Sequence, residues 1–488
     1  MTIDKDFSLW IGGDRVAGSA GTYAVVNPAT EAIVGHAPEA SVADAAAAAS
    51  AAAAAFPAWS RTTPSERAEL LGRAADLVQA NFDELVTLAQ AETGATTSMT
   101  TMANVGGSIA RIRRYAAGAT ESVEQPLRPA PSPPSPLSPT GGLICASAIR
   151  RPVGSVACIT SYNVPLTNVV GKIGPALAMG NTVVVKPAPQ DPLAVIRLVE
   201  LFHEAGFPPG VINIVVGSAS AAAEALVASD DIDMVSFTGS TAVGQRIGAA
   251  AGGSMKRLLL ELGGKGASIV FEDADLDAAA RGTASTFAFH AGQICTAPTR
   301  LIAHRSVYNE VVAKLAAIAG MLPVGDPTDP STMVGPVISD AQRGRIEDHV
   351  RGGVEAGGEI VAGGERPDTE RGFFVRPTLL AGCNMEMAIA QQEIFGPVVV
   401  ALPFDDEEEA IALANSTEFG LYDYIWTADT ARAYRLAGRL RTGNIGLNTL
   451  ARNPETPFGG FKQSGVGRDG GSYALAAYSE MQSVVWQG

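Results

Sequence analysis

Cysteine is scarce in this 488-residue chain: Cys145, Cys158, Cys295 and Cys383 stand far apart, with no CxxC pair and no histidine pair beside them. That spacing offers neither a disulfide framework nor a structural zinc site, and no metal centre is expected. Positive charge is also short, with Lys plus Arg at 35 against 50 for Asp plus Glu and a formal net charge of -15. An electrostatic footprint for nucleic acid or an anionic membrane is therefore lacking. No uninterrupted apolar run approaches the roughly 20 residues that cross a bilayer. The opening MTIDKDFSLWIGG carries two acids and no apolar stretch, unlike a signal or transit peptide, so a cytoplasmic protein is expected. No internal period of roughly 20 to 50 residues recurs, which excludes a solenoid. Histidines number five, His36, His203, His290, His304 and His349, so groups that titrate near neutral pH are few.

What is present is a composition 47% hydrophobic and 17% charged, with abundant Gly and Ala, as in globular rather than fibrous or disordered chains. The length predicts roughly two to four structural units. The tract SVADAAAAASAAAAAFPAW and the following PSERAELLGRAADLVQANFDELVTLAQAETG predict two helices, with Pro64 and Ser65 at a start and Gly94 at a stop. The stretch QPLRPAPSPPSPLSPTGG, Gln125 to Gly142, excludes a helix or a central strand and reads as an extended arm.

Beyond it, strands alternate with helices. GSVACIT, NTVVVKP, GVINIVVG and DIDMVSFTG are short β-branched runs, separated by PLTNVVGKIGPALAMG, PLAVIRLVELFHEAG and SASAAAEALVAS, each of helical length. Apolar strands joined by helices predict a doubly wound parallel sheet that binds nucleotides at its carboxyl edge, over residues about 150 to 262. A second α/β region is predicted from Gly263 to Gly446, through RLIAHRSVYNEVVAKLAAIAG, FGPVVVALPF and EEEAIALANS.

Five segments carry candidate chemistry. VSFTGSTAVGQRIG, Val235 to Gly248, passes from strand through a glycine turn into a helix, a junction that favours an anion such as pyrophosphate but also serves as a plain connection. It is neither GxGxxG nor a P-loop. Lys186 ends the strand VVVKP, where its ammonium reaches ligands bound at the sheet edge or simply solvent. In FHAGQICTAPTR, Cys295 lies among small and polar residues rather than in the apolar setting of a core cysteine, leaving nucleophile, ligand and filler open. His290 is too near in sequence to be assumed to face it. Glu261 in LLLELGGKGAS follows three leucines. Desolvation there would raise its pKa and fit it as a base, whereas a glutamate turned to solvent at a strand end would do nothing. Asn163 in TSYNVPL is an oxyanion donor or a turn former.

Asn163, Lys186, FTGS, ELGGK, GQIC, EIFGPV and PFGGFKQSG stand in one order along the chain, and that set resembles the NAD(P)-dependent aldehyde dehydrogenase superfamily over about Trp10 to Trp486. The resemblance implies an α/β fold with a Rossmann-like cofactor-binding domain (1–125 and 150–262), an α/β catalytic domain (263–469) and a small β oligomerisation element (126–149 and 470–488) that pairs subunits into a homodimer or homotetramer. By the same likeness Cys295 is the nucleophile, Glu261 the base for the hydrolytic water, and Asn163 the oxyanion donor with the Cys295 amide. Lys186 would hold the adenosine ribose, Gly239 and Ser240 the pyrophosphate, Glu393 and Phe395 the nicotinamide ribose and ring, with Leu262 also on the cofactor. Lys172 and Asp469 match positions sometimes assigned to proton relay.

Two departures stand out. Ser161 and Tyr162 replace the family's frequent Pro-Trp beside the cofactor. Pro189 stands where NAD-preferring members carry a carboxylate, so NAD or NADP is expected. Val164, Thr167, Ile294, Thr296 and Phe458 are expected at the substrate entrance and suit a medium apolar or aromatic aldehyde. Arg452 would instead pair with the carboxylate of a semialdehyde or lie solvated in its loop. A redox-independent cysteine hydrolase is the reading from another class, and needs a histidine beside Cys295.

Overall fold

The computed structural model describes residues 5–136 and 139–487. Residues 1–4 of the expected cofactor-binding stretch, and Leu137, Ser138 and Gly488 of the expected oligomerisation element, lie outside the described residues.

Two open sheets dominate. The first has eight strands in the order Asp14–Val16, Leu9–Ile11, Ile212–Ile214, Thr182–Lys186, Ser155–Ile159, Met234–Thr238, Arg257–Glu261, Gly465–Val466. Its five central strands are parallel, and their order reverses between Ser155–Ile159 and Met234–Thr238, the switch point where such sheets open a crevice. Register aligns the strand ends: Ile159 lies opposite both Lys186 and Phe237, and Thr238 opposite Glu261. Val183, Val184 and Val185 are fully buried, as expected for strands covered on both faces.

The second sheet has seven strands, Glu359–Ala362, Thr378–Ala381, Val398–Phe404, Arg300–His304, Ala267–Val270, Tyr422–Trp426 and Asn444–Leu447, parallel except at the first. The chain passes from Glu261 at the carboxyl end of the first sheet to Ala267 at the amino end of the second in a run of glycines. Backbone closeness explains them: a Cβ on Gly264 would lie 2.3 Å from the Cys295 carbonyl oxygen, far inside contact distance. The carboxyl edge of one sheet thus faces the loops feeding the other.

The expected pair of N-terminal helices is a trio, Val42–Trp59, Pro64–Ala80 and Phe82–Thr93. Asn81, at φ -105° and ψ 26°, ends the second helix, and its amide nitrogen and side-chain Nδ2 both donate to Leu77 O. An Asn side chain competing for a helix carbonyl is a local stop that hydrophobic periodicity does not register. Gly94 terminates the third helix at φ 65°, as its position predicts. Val42–Trp59 is long and apolar enough, at mean hydropathy 1.2, to cross a membrane by composition. Its stripe of Ala45, Ala48, Ala49 and Ala52 is instead fully buried in the first core.

The proline-rich stretch contributes edge strands only. Glu124–Pro126 and Ala130–Ser132 pair with Gly142–Pro152, whose other side pairs with Ser479–Gln487, consistent with proline's missing donor. Met481, Val485 and Trp486 on that last strand are exposed. Two C-terminal pieces return to the first sheet: Gly465–Val466 pairs antiparallel with Leu260 and Glu261, and Ala474, Leu475 and Tyr478 join its core.

Candidate active site

Two cavities meet at the switch point. One, of about 610 Å³, runs along the carboxyl edge of the first sheet. The other has a volume of about 360 Å³. Asn163, Asn168, Thr238, Glu261 and Cys295 line both.

Cys295 reaches this junction because the preceding loop coils left-handed: His290, Ala291 and Gly292 take φ of 47°, 49° and 74°. Gly292 is needed there, since a Cβ would lie 2.1 Å from Gly396 O. His290 is buried with neither ring nitrogen hydrogen-bonded, and burial lowers its pKa to about 4. It is a neutral packed side chain, and among the described residues no histidine hydrogen-bonds to Cys295 Sγ. Burial pushes the Cys295 thiol up to about 12, Arg452 pulls against it, and Glu393 and Glu261 add to the rise.

Asn163 is held from two sides. Its Nδ2 donates to Gln293 O at 2.9 Å, leaving one amide proton toward the cavities, while its Oδ1 accepts from Ser161 Oγ at 2.9 Å and Asn168 Nδ2 at 3.1 Å. Those acceptor-side bonds fix the amide orientation. Asn168 escaped the sequence reading; its only signal was an asparagine in the first turn of the helix Pro165–Ala178, five residues after Asn163. That helix begins with the Leu166 amide donating to Asn104 Oδ1 at 3.0 Å.

Glu261 ends its strand buried, with neither carboxylate oxygen hydrogen-bonded. Desolvation raises its pKa well above the carboxylate range, Asp469 adds to this, and Lys172, Arg468 and Arg111 oppose it. The glutamate is therefore turned inward rather than to solvent. Lys172 is buried, donates to Ser236 Oγ at 3.1 Å, and has its pKa lowered by burial against the pull of Asp469. Asp469 lies 3.6 Å from Arg111.

All eight expected cofactor residues, Ser161, Tyr162, Lys186, Gly239, Ser240, Leu262, Glu393 and Phe395, line the larger cavity, and Pro189 lines it too. Lys186 Nζ donates to Pro187 O and Gly217 O, both at 3.1 Å, and burial lowers its pKa to about 8. Two carbonyls aim the ammonium and leave its third proton for a ligand. Ser240 precedes the helix Thr241–Gly252 and its hydroxyl makes no capping bond; the Val243 amide donates to Ser240 O at 3.1 Å, so in the first turn the Thr241 and Ala242 amides are the ones left without an intrahelical partner beside the cavity-lining Ser240. The Gly239 amide donates to Glu261 O at 3.1 Å, so that amide is already spent within the sheet edge. Glu393 accepts from the Gly264 amide at 2.9 Å, and burial lifts its pKa to about 7. Phe395 sits at φ 55°, strained for a bulky residue. Gln342 Nε2 fixes that turn by donating to Ile394 O and Phe395 O at 3.0 and 2.9 Å. The ring of Tyr162 meets Phe395 edge-on at 5.9 Å, and its hydroxyl donates to Gln293 Oε1 at 3.1 Å. A cradle with a cation at one end, helix amides in the middle and a carboxylate beside an aromatic ring at the other fits a dinucleotide.

The smaller cavity is lined by Val164, Thr167, Ile294, Thr296 and Phe458 as expected, joined by Phe289, Leu450 and Arg452. Met99 and Ala103 reach it from the short π-helical stretch around Thr100–Gly106. Its wall is mainly apolar and its floor is the thiol, the amide and the carboxylate.

The aldehyde dehydrogenase family model matches residues 16–484. Phenylacetaldehyde dehydrogenase of Pseudomonas fluorescens is 42% identical over 98% of this chain and 95% of its own length. A 2-hydroxymuconic semialdehyde dehydrogenase of Pseudomonas sp. (strain CF600) is 38% identical over 98% and 99%. Among solved structures, an NAD+ complex of aldehyde dehydrogenase from Bacillus cereus superposes with a TM-score of 0.93 at 37% identity, covering 99% of this chain and 97% of the other.

Proposed function

We propose that this chain, which belongs to the aldehyde dehydrogenase family, oxidises a medium-sized apolar or aromatic aldehyde to its carboxylic acid through a covalent adduct on Cys295. The observation that carries the reading is the convergence of Cys295, Glu261 and Asn163 on the wall shared by the two cavities. Lys186, the first turn after Ser240, and Glu393 with Phe395 would hold NAD or NADP along the larger one. That cofactor, when bound, supplies the acceptor for a hydride.

The chain's own part follows from the geometry. The Cys295 thiol passes its proton to the Glu261 carboxylate, which releases it to solvent, as Sγ adds to the aldehyde carbon, and the oxygen that gains charge is met by the remaining Asn163 Nδ2 proton and the Cys295 amide. Because Asn168 and Ser161 hold the Asn163 carbonyl, the donor is oriented before charge develops. Once the carbon is at the acid oxidation level it is a thioester on Cys295. Glu261 then removes a proton from water, the water oxygen bonds to the acyl carbon, and the carbon–sulfur bond breaks to release the acid. A carboxylate with a raised pKa suits that proton transfer at neutral pH.

The apolar lining of the smaller cavity supports the substrate class, and Pro189 leaves no carboxylate at its position to repel a 2′-phosphate. Both cofactors are therefore used. The division into cofactor-binding, catalytic and oligomerisation parts belongs to the same reading, as does a homodimer or homotetramer formed through the exposed Met481, Val485 and Trp486. Mass spectrometry of enzyme quenched during turnover tests the chemistry: an acyl mass on the Cys295 peptide is expected. An adduct elsewhere, or a Cys295→Ser variant that keeps dehydrogenase activity, overturns it. A preference between NAD and NADP above about a hundredfold, nearly 3 kcal/mol, overturns the dual-cofactor reading.

A further inference from the structure

The smaller cavity holds a charge that the chain does not answer. Its lining carries three cations, Arg111, Lys172 and Arg452, against two acids, Glu261 and Asp469, although the chain's formal charge is -15. Arg111 faces Asp469 at 3.6 Å. Lys172 is buried behind the floor, donating to Ser236 Oγ, with Asp469 and Glu261 acting on its charge.

Arg452 differs from both. Its Nη2 donates to Thr296 Oγ1, Tyr424 is within its reach, and its guanidinium lies between the rings of Tyr422 and Phe458, at 5.1 and 5.6 Å. None of these partners is an acid, and no carboxylate lies within ion-pair distance of it among the described residues. Two aromatic faces restrain the planar group at low entropic cost, and the guanidinium N–H groups not spent on Thr296 and Tyr424 are left for an anionic acceptor. Thr296 directly follows the nucleophile, so the guanidinium sits within one small molecule's length of Cys295. Ile294, Val164, Leu450 and Phe289 line the same cavity. The arrangement is a largely apolar cavity that holds a reactive thiol and, near it, a restrained cation with no acid partner.

We infer that Arg452 is an anion subsite of the substrate cavity and that the aldehyde it serves carries a carboxylate beyond an apolar, preferably planar, body. A carboxylate matches one guanidinium in charge and fork geometry, whereas a phosphate monoester would bring a second charge with no second free cation. The inference rests on aldehyde oxidation at Cys295 and narrows it to acids bearing an aldehyde.

The test compares 4-carboxybenzaldehyde with 4-methylbenzaldehyde in the full-length wild-type enzyme, Arg452→Met and Arg452→Lys, with circular dichroism to verify folding. The wild type is expected to favour the carboxylated aldehyde in kcat/KM by about tenfold or more. In Arg452→Met that ratio falls by about 30-fold, mainly through KM, and Arg452→Lys recovers part of it. A second readout needs no turnover: benzene-1,4-dicarboxylate slows iodoacetamide labelling of Cys295 in the wild type but not in Arg452→Met, and 4-methylbenzoate protects neither. An unmoved ratio together with equal protection in both proteins overturns the subsite while leaving aldehyde oxidation intact. If neither aldehyde is oxidised, the catalytic reading falls, and the labelling result alone decides the subsite.

Discussion

The two cavities that share Cys295 are built by different means. The larger one rests mainly on one sheet and is closed at one end by Glu393 and Phe395: Lys186, Gly239, Ser240 and Glu261 stand at or just past the ends of strands whose register puts them in a row, and neighbouring backbone carbonyls and amides do much of the aiming. The smaller one is assembled from side chains separated by hundreds of residues, Met99 from the turn just before the π-helical stretch, Arg111 from the helix Gly107–Gly118 that follows it, Val164 from a turn, Arg452 and Phe458 from a C-terminal loop. The difference teaches that a cofactor cradle follows from topology, whereas a substrate slot follows from where distant loops happen to meet.

Changes at the shared wall should damage both cavities' purpose most. Glu261→Gln is expected to lower kcat by about 10² to 10⁴-fold and to let the thioester accumulate, read as a burst of reduced cofactor followed by near-arrest. Because the wild-type carboxyl is held well above the ordinary range, and its deprotonated form is the base, hydrolysis should rise with pH through that elevated value. A rate limb at an ordinary carboxylate pKa would count against the assignment. Next in size, Asn163→Ala should cost about 10² to 10³-fold in kcat, and Asn168→Ala a smaller part of it, since Asn168 only orients Asn163.

Lys186→Met sharpens the comparison further. Its expected effect is about a tenfold rise in cofactor KM with the aldehyde KM unmoved, and an equal rise in both would show that the two cavities are not separable. The smallest effect is on stability. Glu261 stays protonated in the fold above the pH at which it ionises when unfolded, so its contribution weakens as pH rises from the ordinary carboxylate value toward the elevated one. Glu261→Gln should therefore melt above the wild type by a few degrees near pH 8, on the basis of roughly 1–3 kcal/mol for an unsatisfied buried polar group. Equal melting temperatures would mean that the carboxyl finds a partner in solution.

Much of the first sheet was legible because its strands are β-branched runs bounded by glycine and proline; Lys186 and Glu261 ending such runs and Asn163 just beyond one were visible as polar residues, but solvent and turn roles stayed open for them until the ordered set of motifs was compared with a family. The break at Asn81 was not, since it depends on a side chain competing for Leu77 O. Neither was the return of Gly465–Val466 to Leu260 and Glu261, a pairing of two residues across more than two hundred positions. Asn168, Gln293 and Gln342 act through hydrogen bonds to Asn163, Tyr162 and the Phe395 turn, and nothing in their local sequence distinguishes them from solvated amides. His290 shows the converse, a chemically suggestive neighbour of Cys295 whose backbone conformation buries it away from the thiol.

By itself the order of apolar runs and glycine turns determined that parallel strands would alternate with helices, because burial on both faces and sharp turns are local demands on residue type. Whether a given carboxyl is stranded without donors, which amide is locked, and whether Arg452 meets an acid or two rings were decided only by tertiary packing. Those outcomes depend on distances between side chains that no local pattern encodes.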